Sequence, residues 1–122
     1  MKPTITWNAE KFGVEIKTED EHFVISALPS MVMSWYDSVR YFEGDAEWKL
    51  PTKDQLKIVA SNLVKVNRII NANGGFEIIG WHWTADESGG SFARIVDMFG
   101  VDTNDYHKFI NYCVRAVSAL NN

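Results

Sequence analysis

Apolar and polar positions alternate with a period of two from residue 11 to residue 28. Phe12, Val14 and Ile16 share one face of a first strand, and Phe23, Ile25 and Ala27 share one face of a second. The polar stretch from Thr18 to Glu21 between them predicts a β-hairpin turn, and Pro29 and Ser30 end the pair. The period then changes. Ser34 is placed to cap a helix, with Asp37 adding negative charge where the helix dipole favours it. Trp35, Val39 and Phe42 fall at i, i+4 and i+7, a stripe expected to face the core, and Gly44 marks the end of the helix.

Pro51 and Thr52 restart the chain. Thr52 followed by Gln55 forms a capping box, in which two side chains satisfy two otherwise unpaired amides. Leu56, Val59, Ala60, Leu63, Val66, Ile69 and Ile70 keep helical spacing, and a break near Ser61 and Asn62 predicts two short helices. Asn73-Gly74-Gly75 closes the helical region. Phe76 to Thr84 and Ser91 to Phe99 then read as strands, dense in β-branched and aromatic residues. Ala85 to Gly90 reads as a polar loop between them, and Gly100 to Asp105 as a second turn. Phe109 to Ala119 reads as one final strand, with Val114 and Ala116 opposite Cys113 and Val117. Strands, then helices, then strands again predict an α+β fold, a twisted antiparallel sheet with two or three helices, in a single domain over residues 1–122.

Composition narrows the picture. The chain is 13% aromatic and carries five tryptophans, large apolar groups that make a core without metal or disulfide. Trp35, Trp48, Trp81 and Trp83 are expected to be structural, and Trp81 and Trp83, on one strand face, read as core more readily than as a ligand platform. The formal charge of -4 and the scattering of Lys and Arg argue against a nucleic-acid partner. Cys113 is the single cysteine and reads as a small buried hydrophobe. No segment has the apolar length of a membrane span, and the first residues lack a signal-peptide pattern, so the default address is cytoplasmic.

Arg115 sits among Val114, Ala116 and Val117, where its guanidinium needs a carboxylate or carbonyls; Asp54 and Glu47 are the carboxylates expected, and the role is structural. His82 faces away from the indoles, beside the glycine loop, and is expected to line a shallow groove. No Ser, Cys or paired acid accompanies it in a recognisable motif, so no catalytic residue and no cofactor are assigned. Asp86, Glu87, Asp102, Asn104 and Asp105 would offer oxygens to a calcium ion only if their two loops met; solvated side chains are the simpler reading, and no metal is expected. The turn from Asp102 to His107, with Asn111 and Tyr112, has the Tyr, Asn and Asp content of an adaptable recognition surface.

Several segments in order carry a resemblance: Gly13-Val14 and His22 to Leu28, Met33 to Val39, Trp48 to Leu56, Gly80 to Thr84, Phe92 to Val96, and Val114 to Val117. Together they resemble a bacterial family of C-type-lectin-like domains, the type found at the C-terminus of the collagen-like adhesin and in surface or phage-associated proteins. The likeness runs from about residue 12 to residue 119, and its most specific part is Leu50-Pro51-Thr52 combined with Trp83-Thr84. It implies a C-type-lectin-like fold, with the termini in neighbouring strands and any binding site on loops between the later strands. It also marks departures. The lone Cys113 lacks the partner used by formylglycine-generating relatives, and the Glu-Pro-Asn, Gln-Pro-Asp and Trp-Asn-Asp triplets of calcium-dependent sugar binders are missing.

A shared fold does not transfer function. The expectation is a non-enzymatic binding or adhesion module for a protein or glycan ligand, with a surface made of His82, Asp86, Glu87, Ser91, Asp102, Asn104, Tyr106 and His107. Tyr106 and His107 would be its anchors. One alternative is a structural or assembly subunit of a phage or mobile-element particle, a homo-oligomer; another is a hydrolase using His82 with Asp86 or Glu87.

Overall fold

The computed structural model describes residues 2–120, which form ten strands and three helices. In chain order these are β1 (Thr4–Asn8), β2 (Gly13–Lys17), β3 (His22–Ser26), β4 (Met31–Met33), α1 (Trp35–Phe42), β5 (Trp48–Lys49), α2 (Lys53–Ser61), α3 (Leu63–Ala72), β6 (Trp81–Gly89), β7 (Phe92–Asp97), β8 (Thr103–His107), β9 (Tyr112–Val114) and β10 (Val117–Ala119). One sheet has the order β1-β2-β3-β10-β5 and the other β4-β9-β6-β7-β8. All pairings are antiparallel except a bridge between β6 and β9 at His82 and Cys113. The protein is an α+β fold with two antiparallel-rich sheets.

The opening hairpin forms as its alternation predicts. Val14, Ile16, Phe23, Ile25 and Ala27 are buried, and Thr18 Oγ1 accepts the amides of Asp20 and Glu21 in the turn. Gly13 is required by contact: a Cβ there would stand 2.4 Å from the Ile25 carbonyl oxygen. A preceding strand, β1, adds to this hairpin; it buries Ile5 and sets Trp7 edge-on to Phe12 at 5.2 Å.

In α1, Ser34 Oγ accepts the Asp37 amide as expected, but the buried stripe is Trp35, Ser38 and Phe42, while Val39 is exposed. Ser38 tolerates burial because its hydroxyl donates to the Trp35 carbonyl at 2.7 Å. Both halves of the Thr52–Gln55 capping box are present, and the helical run breaks at Asn62, whose side-chain amide donates back to Ile58.

The later strands depart from the sequence reading in four places. Residues 76–80 lie outside any strand, and β6 runs instead from Trp81 to Gly89. The expected loop from Ala85 to Gly90 is therefore mostly strand, with register shifts between Trp83 and Glu87 and between Glu87 and Gly89. The expected turn from Asp102 to His107 is largely β8, an edge strand. The expected final strand is two: β9 lies between β4 and β6 in one sheet, β10 between β3 and β5 in the other, with Arg115 and Ala116 at the crossing. A continuous apolar run satisfies either sheet, so its pattern does not reveal the change of partner.

Two apolar clusters fill the interior. Val14, Ile16, Phe23 and Ile25 pack with Leu56, Val59, Val66 and Ile70 of the helices, and with Val96, Met98 and Val117. Trp35, Phe42 and Leu50 pack with Trp83, Ala93, Ile95 and Val114. β7 thus sends alternate side chains into different clusters, Ala93 and Ile95 to one and Val96 to the other. Trp48 and Trp81 are half-buried against the second cluster. Among the described residues no helix is long and apolar enough to cross a membrane.

Candidate functional site

The segment before β6 makes no strand ladder, so its carbonyls need donors from elsewhere, and Arg115 supplies them. Its Nη1 donates to the carbonyls of Ser26 (3.0 Å) and Phe76 (2.9 Å), its Nη2 to that of Glu77 (2.9 Å), and its Nε to Ser30 Oγ (2.9 Å). The partners are thus carbonyls and a hydroxyl, not Asp54 or Glu47; Glu47 pairs with Lys11. Arg115 is only 2% exposed, and burial pushes its guanidinium down to about 10.

His82 is fully buried and lines no exposed groove. Its Nδ1 lies 3.3 Å from the Gly80 carbonyl and its Nε2 2.9 Å from Ser30 Oγ. A carbonyl only accepts, so the proton sits on Nδ1 and Nε2 accepts the Ser30 hydroxyl. Burial, and secondarily the charge of Arg115, lower its pKa to about 4, against an opposing pull from the Gly80 carbonyl. A hydroxyl beside a neutral imidazole has the form of a nucleophile and base. Here, taking the Ser30 proton would create a buried imidazolium beside a buried guanidinium, with no carboxylate paired to either among the described residues. The trio therefore reads as a brace for the crossing between β9 and β10. Ser30 was missed in the sequence because 52 residues separate it from His82.

At the hairpin end of the expected ligand surface, Asp86, Glu87 and the Ser91 backbone also make internal contacts. Asp86 Oδ1 accepts the Lys53 amide at 2.8 Å, holding the start of α2. Glu87 pairs with Lys108 Nζ, which also donates to the Gly90 carbonyl and stands 4.4 Å from the centre of the Trp35 ring. The Ser91 carbonyl accepts the Lys108 amide. Lys108, 3% exposed, is the hub of this corner, and no motif singled it out. Trp35 Nε1 donates to the Thr84 carbonyl at 2.9 Å and ties α1 to the same hairpin.

β8 is different. All five of its residues are exposed, at the edge of its sheet. Asn104 lies opposite Ile95 and Tyr106 opposite Ala93, so both share the sheet face of Trp83, itself opposite Ile95. Tyr106 stacks edge-on to Tyr112 at 5.3 Å, and Tyr112 edge-on to Trp83 at 5.4 Å, a chain of rings from the interior to the surface. Burial, then Tyr106, push the Tyr112 phenol up. On the other face Asp105 pairs with Arg94 at 3.1 Å and His107 lies 4.6 Å from the Phe92 ring. Asp102 precedes the strand, about 13 Å along the sheet from the level of Glu87 at roughly 3.3 Å per residue. The acidic residues do not converge: among the described residues no group of three or more His, Cys, Asp or Glu is arranged to hold a metal. Compared with known proteins, the chain matches no family model and no curated sequence.

Proposed function

We propose that the chain is a non-enzymatic binding module of C-type-lectin-like architecture, which takes a protein or glycan ligand on the sheet surface around β8. The carrying observation is the edge strand, all five residues of which reach solvent, that presents Asn104 and Tyr106 on one face, with Tyr106 backed by Tyr112 and Trp83. Rings held by other rings lose little freedom on binding, and an adjacent amide adds directional hydrogen bonds. The rigid sheet beneath, with its buried Ala93 and Ile95, supports that surface. The C-type-lectin-like assignment draws support from β10 returning beside the opening hairpin and from Leu50-Pro51-Thr52 docking on β6, where the Ala85 amide donates to the Pro51 carbonyl. The mechanism is shape and hydrogen-bond complementarity, with His107 and Asp102 at the margins of the surface.

The test screens the purified domain against glycan and protein arrays, in calcium and then in chelator. Ligands retained by the wild type should bind at least about tenfold more weakly to Tyr106→Ala and Asn104→Ala, with unchanged melting temperature and no effect of chelator. Ligands that ignore both substitutions would place binding elsewhere. Sedimentation showing a stable oligomer that covers β8 would favour the assembly role instead.

A further inference from the structure

A cavity of about 560 Å³ has walls that include Met31, Tyr41, Phe42 and Trp48, with Ser30 and Arg115 in its polar lining. This size suits a small molecule, and apolar walls with a few convergent polar groups are the usual build of such a site. Arg115 gives the polar part its sign. It is a buried cation whose partners are all neutral, three carbonyls and one hydroxyl. Five N–H groups are available on a guanidinium and four bonds are made, so one donor of Nη2 is unused. A buried charge without a counter-ion is costly, and an anion in the cavity would relieve that cost.

Lys11 also lines the cavity, with Nζ 5.8 Å from the centre of the Trp48 ring. Its partner Glu47 is half exposed, at 52% of its side chain, and is therefore a carboxylate that another carboxylate can displace. Asp45, likewise in the lining, has one carboxylate oxygen engaged by the Trp48 and Glu47 amides, which lower its pKa; its negative charge disfavours a second negative charge on the ligand.

We propose that this cavity binds a small monocarboxylate with a flat apolar body, the carboxylate meeting Arg115 and Lys11 and the body lying against Tyr41, Phe42 and Trp48. The site is separate from the surface proposed around β8 and does not depend on it.

Phenylacetate and its neutral amide, phenylacetamide, are the probes, titrated into the full chain and followed by amide and indole NMR shifts. Phenylacetate should shift Ser30, Ala116 and the Trp48 indole saturably, and phenylacetamide should bind about tenfold more weakly. Glu47→Gln, which frees Lys11, should tighten phenylacetate about threefold, and Lys11→Met should weaken it by a similar factor. Tyr106→Ala should change nothing, which separates this site from the one on β8. No saturable response to phenylacetate, equal affinity for acid and amide, or a Glu47→Gln variant that binds no more tightly would each overturn the proposal.

Discussion

Arg115 and His82 share the hydroxyl of Ser30 yet meet burial in opposite ways. The guanidinium stays charged and gathers carbonyls, because its ordinary pKa lies too far above neutrality for burial to discharge it. The imidazole, with an ordinary value of 6.5, gives up its charge and settles at about 4. Between those two values the unfolded chain binds more protons than the folded one, so the stability gained from a neutral His82 is complete above about pH 6.5 and falls away as pH drops toward 4. Urea unfolding should therefore show a loss of about 2 kcal/mol between pH 7 and pH 5 from this residue. His82→Gln keeps a donor and an acceptor but does not titrate, and should flatten the profile in that window. A wild-type profile as flat as the variant's would mean that His82 reaches water.

Local signals served best where an element is built by its own side chains. The Thr18 turn, the Ser34 cap, the Thr52–Gln55 box and the Asn62 break each depend on residues within four positions of one another, and each formed as read. Residues 85–89 and 103–107 misled because neither strand carries the apolar alternation by which a strand is recognised, the first burying only polar Asp86 and Ser88 in part and the second exposed on both faces, and their Gly, Asp and Asn content imitates a turn. The same distance limit applies to the site. Tyr106 and Asn104 were singled out by composition alone, and β8 leaves both exposed, whereas Ser30, Lys108 and the true partners of Arg115 needed contacts across tens of residues. Asp86 shows the consequence. Expected as a ligand group, it also serves α2, where its Oδ1 accepts the first helical amide while Thr52 accepts that of Gln55. Asp86→Ala should cost about 1 kcal/mol in chemical denaturation and Asp86→Asn, which keeps an acceptor oxygen, less than half of that. Neither should alter ligand binding at β8; a binding defect with unchanged stability would return Asp86 to the recognition surface.

The two apolar clusters meet through β7 and through the four residues from Val114 to Val117, so neither sheet has an interior of its own. Val114 fills the tryptophan-rich cluster and Val117 the other, on strands that belong to different sheets. Four of the five tryptophans, Trp35, Trp48, Trp81 and Trp83, lie in or against the first of these, and Trp7 packs against the second. Tryptophan fluorescence therefore reports mainly on one cluster, while far-ultraviolet circular dichroism reports on all the strands and helices. Shortening either valine to alanine removes two methyl groups from a packed interior and should destabilise by about 2 kcal/mol. Because β7 belongs to both clusters, the fluorescence and dichroism transitions should stay coincident in Val114→Ala and in Val117→Ala alike, each shifted by a similar amount. If Val117→Ala instead lost its dichroism while the tryptophan signal held, the clusters would be separable units, and the surface around β8 would rest on one sheet alone. Coincident transitions would mean that the crossing braced by Arg115 carries stability from the opening hairpin to the face that presents Tyr106, which is what a rigid binding surface at a sheet edge requires.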